Sequence, residues 1–228
     1  MTRGVFVTGT DTGVGKTVAA CALLHALVRR GVRAMPMKPI AAGAVERDGC
    51  WVNEDTLRLM QAAGMDASES ARVTPVLLRE PMAPHIAAAR EGMEIRLAAV
   101  FAAYRELARE AQFMVVEGVG GFCVPLGGDS DTVDLTTNIG LPVVIVVGLR
   151  LGCLNHALLT AQAVVAAGLP LAGWIANAID ADMAAREENV QALRERLRAP
   201  LLGELPFRAA PNPGELATHL DVGRLLSP

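Results

Sequence analysis

The sequence lacks several features that mark whole classes of protein. Residues 1–4 do not have the charged-then-apolar layout of a signal peptide, and apolar runs such as Val143 to Val147 are far too short to span a bilayer. The formal net charge is only −3, with acids and bases intermixed. Because no basic stripe or cationic amphipathic helix stands out, we expect neither nucleic acid nor a membrane as a partner. A cytoplasmic protein that acts on small molecules is expected.

Closely spaced cysteines are also missing. Cys21, Cys50, Cys123 and Cys153 form no C-x-x-C pair, which argues against a zinc site and against a disulfide framework. Apolar side chains, by contrast, are plentiful, since 52% of the 228 residues are hydrophobic. This content is ample for a large core. We expect residues 1–228 to form a single domain, with two domains as the alternative.

A glycine-rich loop near the start of the chain carries the clearest chemistry. Residues 5–8 read as a buried strand, residues 18–28 have the length and residue types of a helix, and between them residues 9–17 read GTDTGVGKT. In such a loop, backbone N–H groups turn inward on phosphate oxygens and the helix N-terminus adds positive potential. The Lys16 ammonium then reaches the terminal phosphates, and the Thr17 hydroxyl can ligate Mg²⁺.

The spacing of this loop departs from the common pattern. Five residues rather than four separate Gly9 from Gly15, which leaves Thr10 where a glycine is usual. A chance match in a solvated turn is the alternative. The strand before the loop and the helix after it favour a phosphate site.

Strands and helices alternate along the rest of the chain. Residues 41–50 are predicted to be an exposed loop, and the proline-rich tail after residue 206 to be irregular. A short helical piece is expected after Pro84. Further strands are predicted at 32–37, 113–117, 141–148, 171–177 and 201–206, and helices at 53–63, 95–112, 131–139, the segment that ends near 167, and 181–197. Short connections and apolar runs predict an α/β P-loop fold, a mostly parallel twisted sheet with helices on both faces.

Polar residues follow the predicted strands at one end. Lys38, Glu117, Arg150 and Asn177 each lie just after a strand, as does the phosphate loop. Ligands of parallel sheets collect at the carboxyl ends of the strands. We therefore expect these groups to form one site.

Two acids are candidate magnesium ligands. Glu117 ends an apolar strand and precedes glycines, as in a Walker B strand; a glutamate that merely ends a strand is the alternative. Asp55 lies in the first turn of a predicted helix, where a carboxylate is favourable for structural reasons alone.

Five segments together resemble the dethiobiotin synthetases, ATP-dependent carboxylases that close the ureido ring in biotin synthesis. The segments are GTDTGVGKT (9–17), KPIAAG (38–43), VEGVGG (116–121), LGCLNH (151–156) and GWIAN (173–177). This resemblance covers most of the chain. It implies that 7,8-diaminononanoate and CO₂ form a carbamate, that ATP phosphorylates the carbamate, and that the second amine closes the ring with release of ADP and phosphate.

The resemblance also implies roles by position, with Mg²⁺ as cofactor and ATP as co-substrate. The catalytic residues would be Lys38, Lys16 and Thr12. The metal ligands would be Thr17, Asp55 and Glu117. The diamine would be bound by Thr12, Lys38, Ala42, Gly152, Cys153, Leu154 and Asn155. The nucleotide would be bound by Gly13, Val14, Gly15, Lys16, Thr17, Val18, Asp55, Glu117, Gly118, Val119, Gly120, Asn177, Pro206, Phe207 and Arg208.

Some positions depart from the family pattern. Ala42 stands where a hydroxyl residue is common, and Gly13 where some relatives carry an acid. The segment from Pro206 to Glu215 resembles the loop that contacts adenine in the family, in either of two alignments that differ by one residue. Glu215 is therefore a further candidate for the adenine side. Residues 177–180, Asn-Ala-Ile-Asp, have the outline of the guanine-reading motif of GTPases but lack its lysine, so ATP is preferred.

Two other enzyme classes share parts of this pattern. Nucleotide-switched regulatory or partitioning ATPases have a related loop, but they place a lysine where this chain has Asp11. Amidating enzymes of corrin synthesis carry a further glutaminase domain, for which this chain is too short.

Residues 152–155 precede an apolar helix. The N-terminus of such a helix offers unpaired N–H groups and positive potential to a carboxylate. In the enzymes that the sequence resembles, this helix of the other subunit holds the substrate carboxylate, so we expect a homodimer with shared active sites. The alternative is that these residues simply begin a buried helix.

Overall fold

A six-stranded parallel sheet organises the fold. In the computed structural model, which describes residues 3–226, twelve strands are assigned. They are β1 (Arg3–Gly9), β2 (Ala34–Met37), β3 (Ile40–Ala42), β4 (Val45–Arg47), β5 (Cys50–Val52), β6 (Val76–Leu78), β7 (Phe113–Glu117), β8 (Pro125–Gly127), β9 (Ser130–Asp131), β10 (Val143–Leu149), β11 (Leu171–Ala178) and β12 (Leu201–Leu205). The sheet has the order β12-β11-β10-β1-β7-β2, and every neighbouring pair in it is parallel.

Helices connect these strands. The α-helices are α1 (Lys16–Arg29), α2 (Glu54–Ala63), α3 (Ser70–Val73), α4 (Pro84–Arg90), α5 (Leu97–Glu110), α6 (Thr132–Ile139), α7 (Cys153–Ala166), α8 (Arg186–Arg196), α9 (Pro213–Leu216) and α10 (Gly223–Leu226). Two single turns of 3₁₀-helix cover Ala67–Glu69 and Ala217–His219. Within residues 3–226, no helix combines the length and the apolar character needed to cross a membrane.

The sheet buries both of its faces. Along β1, Val5 and Val7 belong to one apolar cluster whereas Phe6 belongs to the other. Successive side chains of a strand point to opposite faces, so each cluster marks one layer of helices. Residues of α1, α2 and α9 pack on the Val5 side, and residues of α4 to α8 pack on the Phe6 side. The predicted α/β architecture with helices on both faces is confirmed.

The sheet also sets the position of the site. β1 pairs with β10 on one side and with β7 on the other. The chain adds β2 and β7 on one side of β1 first and only then adds β10, β11 and β12 on the other side, so the strand order changes direction at β1. In open parallel sheets, ligands bind at the carboxyl ends of strands beside such a switch point. The phosphate loop, which directly follows β1, lies at that position.

Three local predictions were wrong. The segment 41–50 was expected to be a loop but holds most of the hairpin β4–β5, whose turn is Asp48-Gly49 with positive φ at both residues. The helix expected at 181–197 begins only at Arg186, because Ala185 adopts a left-handed backbone conformation (φ 52°). The tail is not wholly irregular, since it contains α9 and α10.

Candidate nucleotide and metal site

The phosphate loop needs glycine at Gly13 and Gly15. Their φ angles are 76° and 84°, a region that L-residues with a Cβ rarely adopt. At Gly15 a second constraint applies, because a Cβ would lie 2.1 Å from Asn177 Nδ2. A Cβ added at Gly13 would have no atom within 4 Å. Gly13 is therefore required only for its backbone angle, whereas Gly15 is required both for its backbone angle and for the close approach of Asn177.

Two strands on the same side of β1, β10 and β11, hold the loop in place. The Thr10 N–H donates to Val146 O of β10 at 3.1 Å, and Asn177 Nδ2 of β11 donates to Val14 O at 2.9 Å. Val14 itself is buried. Asn177, which was predicted to bind the nucleotide, thus also positions the loop through its amide nitrogen.

Lys16 begins α1 and turns back over the loop. Its Nζ donates to the Asp11 carbonyl at 2.9 Å, and only 8% of the residue is exposed. Burial lowers the pKa of Lys16 to about 8, and the nearby Glu117 carboxylate offsets only part of that effect. A phosphate group would therefore meet a dehydrated cation whose hydrogen-bond acceptor within residues 3–226 is a neutral carbonyl.

Lys38, at the end of β2, lies between two acids. Its Nζ is 2.6 Å from Glu117 Oε1 and 3.0 Å from Asp55 Oδ2. The Thr17 hydroxyl donates to the same Glu117 oxygen at 2.8 Å. Four separate segments of the chain thus contribute residues 17, 38, 55 and 117 to one cluster at the carboxyl edge of the sheet, where the loop, Lys38 and Glu117 were expected to meet.

The charges of this cluster stabilise each other. Burial alone would lower the pKa of Lys38, but Glu117 and Asp55 outweigh burial and hold it above its ordinary value. Burial likewise favours a higher pKa for Asp55, and the Lys38 ammonium reverses this and keeps it below the ordinary value. Lys38 and Asp55 are therefore both charged at neutral pH.

The N-cap of α2 places Asp55. The Asn53 side chain accepts the N–H groups of Asp55 and Thr56 at 3.0 and 3.3 Å, which fixes the first turn. Its Nδ2 donates to the carbonyls of Ala42 and Gly43 at 3.3 and 3.2 Å. One buried asparagine thus ties the helix that carries Asp55 to the strand end that carries Ala42.

The donor set fits Mg²⁺. Glu117 is 1% exposed, and its Oε2 has no hydrogen-bond partner among the described residues. A buried carboxylate oxygen without a partner is costly unless a ligand satisfies it. Together with the Thr17 hydroxyl and the Asp55 carboxylate, it offers the oxygen ligands that magnesium prefers.

A cavity of about 1010 Å³ opens over this cluster. It is lined by most of the residues predicted from the sequence, including Thr12, Lys16, Lys38, Ala42 and Glu117. Part of its wall was not predicted: Pro81, Met82 and Phe122 also line it. These three residues belong to no recognisable sequence motif, so the sequence alone did not indicate that they line a cavity.

A smaller cavity of about 530 Å³ continues from Thr17 and Val18 across α1 to residues 210–214. Pro206, Phe207 and Arg208 follow β12 on the same side of the fold, but they do not line either of these two cavities. Glu215 accepts a hydrogen bond from Asn212 Nδ2 at 3.0 Å. The assignment of these residues to the adenine side stays a prediction.

The segment 152–155 lies apart from the large cavity. Gly152 is the N-cap of α7 with φ 94°, and Cys153 is buried in the first turn. Neither lines the cavity of its own chain. Farther along α7, however, Leu159, Thr160 and Ala163 do line this cavity.

Comparison with known proteins places this site in a family. A family model described as an AAA domain matches residues 3–213. The chain is 53% identical over 218 residues to the ATP-dependent dethiobiotin synthetase BioD of Aromatoleum aromaticum, with 96% of each protein covered.

Solved structures show the same fold at low sequence identity. The septum site-determining protein MinD of Pyrococcus horikoshii, solved with Mg-ADP, matches 98% of this chain and 89% of its own, with a TM-score of 0.55 and 19% identity. The cell division protein FtsY of Thermotoga maritima matches 100% of this chain and 69% of its own, with a TM-score of 0.57 and 15% identity. These two proteins share the fold of this chain. By the family model and by the 53% identical relative, the chain belongs to the dethiobiotin synthetase family.

Proposed function

We propose that this protein uses ATP and Mg²⁺ to carboxylate 7,8-diaminononanoate with CO₂ and to close the ureido ring of dethiobiotin. The observation that carries the proposal is the position of Lys38. Its buried ammonium lies 2.6 Å from Glu117 and 3.0 Å from Asp55, beside a phosphate loop that holds a second buried cation, Lys16. A reaction that brings several anionic oxygens together needs cations fixed in advance.

The first step needs orientation and positive charge. One amine of the diamine attacks CO₂, forms an N–C bond and loses a proton, which leaves a carbamate anion. Lys38 and Thr12 line the cavity in which this group would lie. The Lys38 ammonium would stabilise the carbamate oxygens, and Thr12 would orient them.

The second step is phosphoryl transfer. A carbamate oxygen attacks the γ-phosphorus of ATP, the bond to the bridging oxygen breaks, and ADP leaves with the electron pair. The transferred group carries its negative charge on its oxygens, so catalysis depends on positioning and electrostatic stabilisation rather than on a covalent nucleophile. Lys16 provides a cation at the loop for this charge. The second amine then attacks the carbonyl carbon of the mixed anhydride, and phosphate departs as the ring closes.

Thr17, Asp55 and Glu117 would hold the magnesium ion, which would supply charge neutralisation to the nucleotide phosphates. In the structure, the Lys38 ammonium contacts one oxygen of each carboxylate, Asp55 Oδ2 and Glu117 Oε1, so its single charge offsets only part of their combined charge. Glu117 Oε2 has no hydrogen-bond partner among the described residues and would be available to the metal while Lys38 stays in place. The metal would then offset the rest of the carboxylate charge and leave the ammonium to act on the carbamate.

We also propose a homodimer with two composite active sites. Three large apolar side chains on α7 or just before it are exposed, with Leu151 at 96%, Leu159 at 56% and Val165 at 64%. Of these, Leu159 also lines the large cavity of its own chain. Exposed apolar groups that form a patch are typical of an interface. A second chain that covers α7 would bring residues 152–155 to the neighbouring cavity, where the helix N-terminus could bind the carboxylate of the diamine.

Mixing two variants tests the shared site. Gly152→Trp would block the carboxylate end, and Lys16→Ala would disable the phosphate loop. If the sites are shared, one site of the mixed dimer takes both lesions and the other takes none, so activity returns. Activity that never exceeds the sum of the two variants, with subunit exchange confirmed, rules the shared site out.

A direct assay tests the reaction itself. Purified protein with diaminononanoate, bicarbonate, Mg²⁺ and ATP is expected to yield dethiobiotin, as followed by mass spectrometry. Lys16→Ala serves as the inactive control. Absence of dethiobiotin from a folded preparation that binds ADP would overturn the proposed function. The cytoplasmic location and the single domain that the sequence indicates stay predictions.

A further inference from the structure

An ion pair joins the first half of the phosphate loop to the end of β10. Arg150 Nη2 donates to Asp11 Oδ2, although the two residues are 139 positions apart in the chain. Arg150 directly follows β10, and its carbonyl accepts the Cys153 N–H at 3.0 Å at the start of α7. The backbone that carries the guanidinium is therefore fixed between a buried strand and a helix.

Asp11 in turn contacts the two loop residues that are proposed to act on the substrates. Its Oδ1 accepts the Thr12 N–H at 2.7 Å, and its backbone carbonyl accepts Lys16 Nζ at 2.9 Å. The hydrogen bond from Thr12 lowers the pKa of Asp11, and Arg150 lowers it further. Asp11 is therefore an anion at neutral pH, and it orients both Thr12 and Lys16.

An anion at this place creates an electrostatic problem. Asp11 and Lys16 line the same cavity, so a nucleotide that reaches Lys16 brings its phosphates close to the Asp11 carboxylate. Like charges at short range repel each other. Among the described residues, Arg150 is the cation in contact with this carboxylate.

We propose that Asp11 and Arg150 form a positioning pair: Asp11 orients Thr12 and Lys16, and Arg150 cancels the charge of Asp11 so that the loop accepts a triphosphate. This inference rests on the proposed function, because it assumes that the loop binds ATP. Neither residue contacts the reacting atoms in this scheme. Both act through the loop.

The rival explanation is an ordinary surface ion pair. The side chains of Arg150 and Asp11 are 43% and 44% exposed, and pairs as exposed as this one contribute little to stability. Under that explanation, loss of Arg150 changes little. Loss of both charges would then be no better than loss of one.

A double-mutant cycle separates the two explanations. The measured quantities are the Kd of ADP and of a non-hydrolysable ATP analogue by calorimetry, together with kcat and the separate KM values for ATP and for the diamine. Arg150→Met leaves the Asp11 charge uncompensated, and we expect the Kd for the ATP analogue to rise at least about tenfold. Asp11→Asn keeps an oxygen that can accept the Thr12 N–H, so its Kd is expected to stay within about threefold of the parent.

The combined variant gives the decisive result. With both charges gone, we expect the ATP-analogue Kd of Asp11→Asn/Arg150→Met to return to within about threefold of Asp11→Asn alone. If Arg150→Met weakened binding only by disordering the loop, removal of the Asp11 charge as well could not restore the Kd. The matched control is Arg224→Met, because Arg224 is an exposed arginine paired with Asp221 at 3.1 Å, outside the site. We expect it to bind like the parent.

Three results would overturn the inference. One is Arg150→Met binding within twofold of the parent, and another is a double variant that binds no better than Arg150→Met. The third is an effect on the KM of the diamine alone, which would assign Arg150 to the α7 segment instead. These three results can be told apart from failure of the proposed function. Nucleotide binding is measured without dethiobiotin synthesis, and the parent protein is assayed for dethiobiotin in a separate experiment.

Discussion

Replacement of Lys38 by methionine changes the free energy of unfolding and the metal affinity in opposite directions. Lys38 is 5% exposed, and its two carboxylate contacts are 2.6 and 3.0 Å long. Methionine keeps most of the apolar stem but leaves the buried Glu117 charge without its cation. Removal of one partner from a buried ion pair typically costs about 3–5 kcal/mol. We expect a loss of stability of that order in metal-free buffer.

A divalent cation can restore part of this loss. In this variant no ammonium offsets the charges of Glu117 and Asp55, so a divalent cation would meet a more negative site. Recovery of about 1.4 kcal/mol corresponds to a tenfold change in affinity. We therefore expect the Kd for Mn²⁺, measured by electron paramagnetic resonance without nucleotide, to fall at least about tenfold in Lys38→Met.

The comparison with Lys16→Met controls for a general loss of positive charge. Lys16 Nζ bonds to a neutral carbonyl at 2.9 Å and not to the carboxylates, so its removal is expected to give a smaller gain in Mn²⁺ affinity. Lys38→Gln provides a second variant if the methionine protein does not fold. Unchanged or weaker Mn²⁺ binding in a folded Lys38 variant would refute the view that the Lys38 charge weakens metal binding at these carboxylates.

Two further predictions concern the loop and the substrate wall. Gly15→Ala is expected to abolish ADP binding in calorimetry, because its Cβ would lie 2.1 Å from Asn177 Nδ2; Gly13→Ala, which meets only backbone strain, is expected to weaken binding by about tenfold or less. Equal losses in the two variants would contradict the role given to Asn177. Ala42→Ser adds a hydroxyl to the cavity wall and is expected to leave the KM of the diamine unchanged or lower, whereas a clear rise would show a differently shaped pocket.

Local pattern was enough to predict the main strands and the polar groups that follow them. The strand Phe113–Glu117 has the predicted bounds. Its apolar run is too short for a helix that crosses the core, and the charged residue and the glycine that follow mark where the strand ends. The gathering of Lys38 and Glu117 follows from the rule that parallel strands end at one edge. The same logic pointed to Arg150 as a member of this edge.

Contacts between distant segments were beyond such reasoning. The sequence could not show that Arg150 pairs with Asp11, since the pairing depends on how β10 packs beside β1. Pro81 and Phe122 line the cavity, but an apolar side chain does not reveal which cavity it faces. The hairpin at 45–52 did carry a signal, because Asp48-Gly49 is a common two-residue hairpin turn.

The two buried lysines are held differently, and this difference predicts how nucleotide binding depends on pH. Lys38 faces two carboxylates, which raise its pKa above the ordinary value, so it keeps its proton throughout the useful range. For Lys16, burial lowers the pKa from 10.5 to about 8. Free protein therefore loses the Lys16 proton as the pH rises through 8, whereas bound phosphate favours the ammonium and restores it.

Nucleotide binding above pH 8 must then take up a proton at Lys16. At pH 9, one unit above the printed value, roughly nine-tenths of the free protein would carry a neutral Lys16. We expect ADP binding at pH 9 to take up close to one proton, measured by calorimetry in buffers of different ionisation enthalpy, and to weaken as the pH rises further. At pH 7 the uptake through Lys16 is expected to be near zero, and Lys16→Met is expected to lack the pH 9 uptake. Equal uptake in Lys16→Met and the parent would assign the proton to another group and remove the link between the burial of Lys16 and phosphate binding.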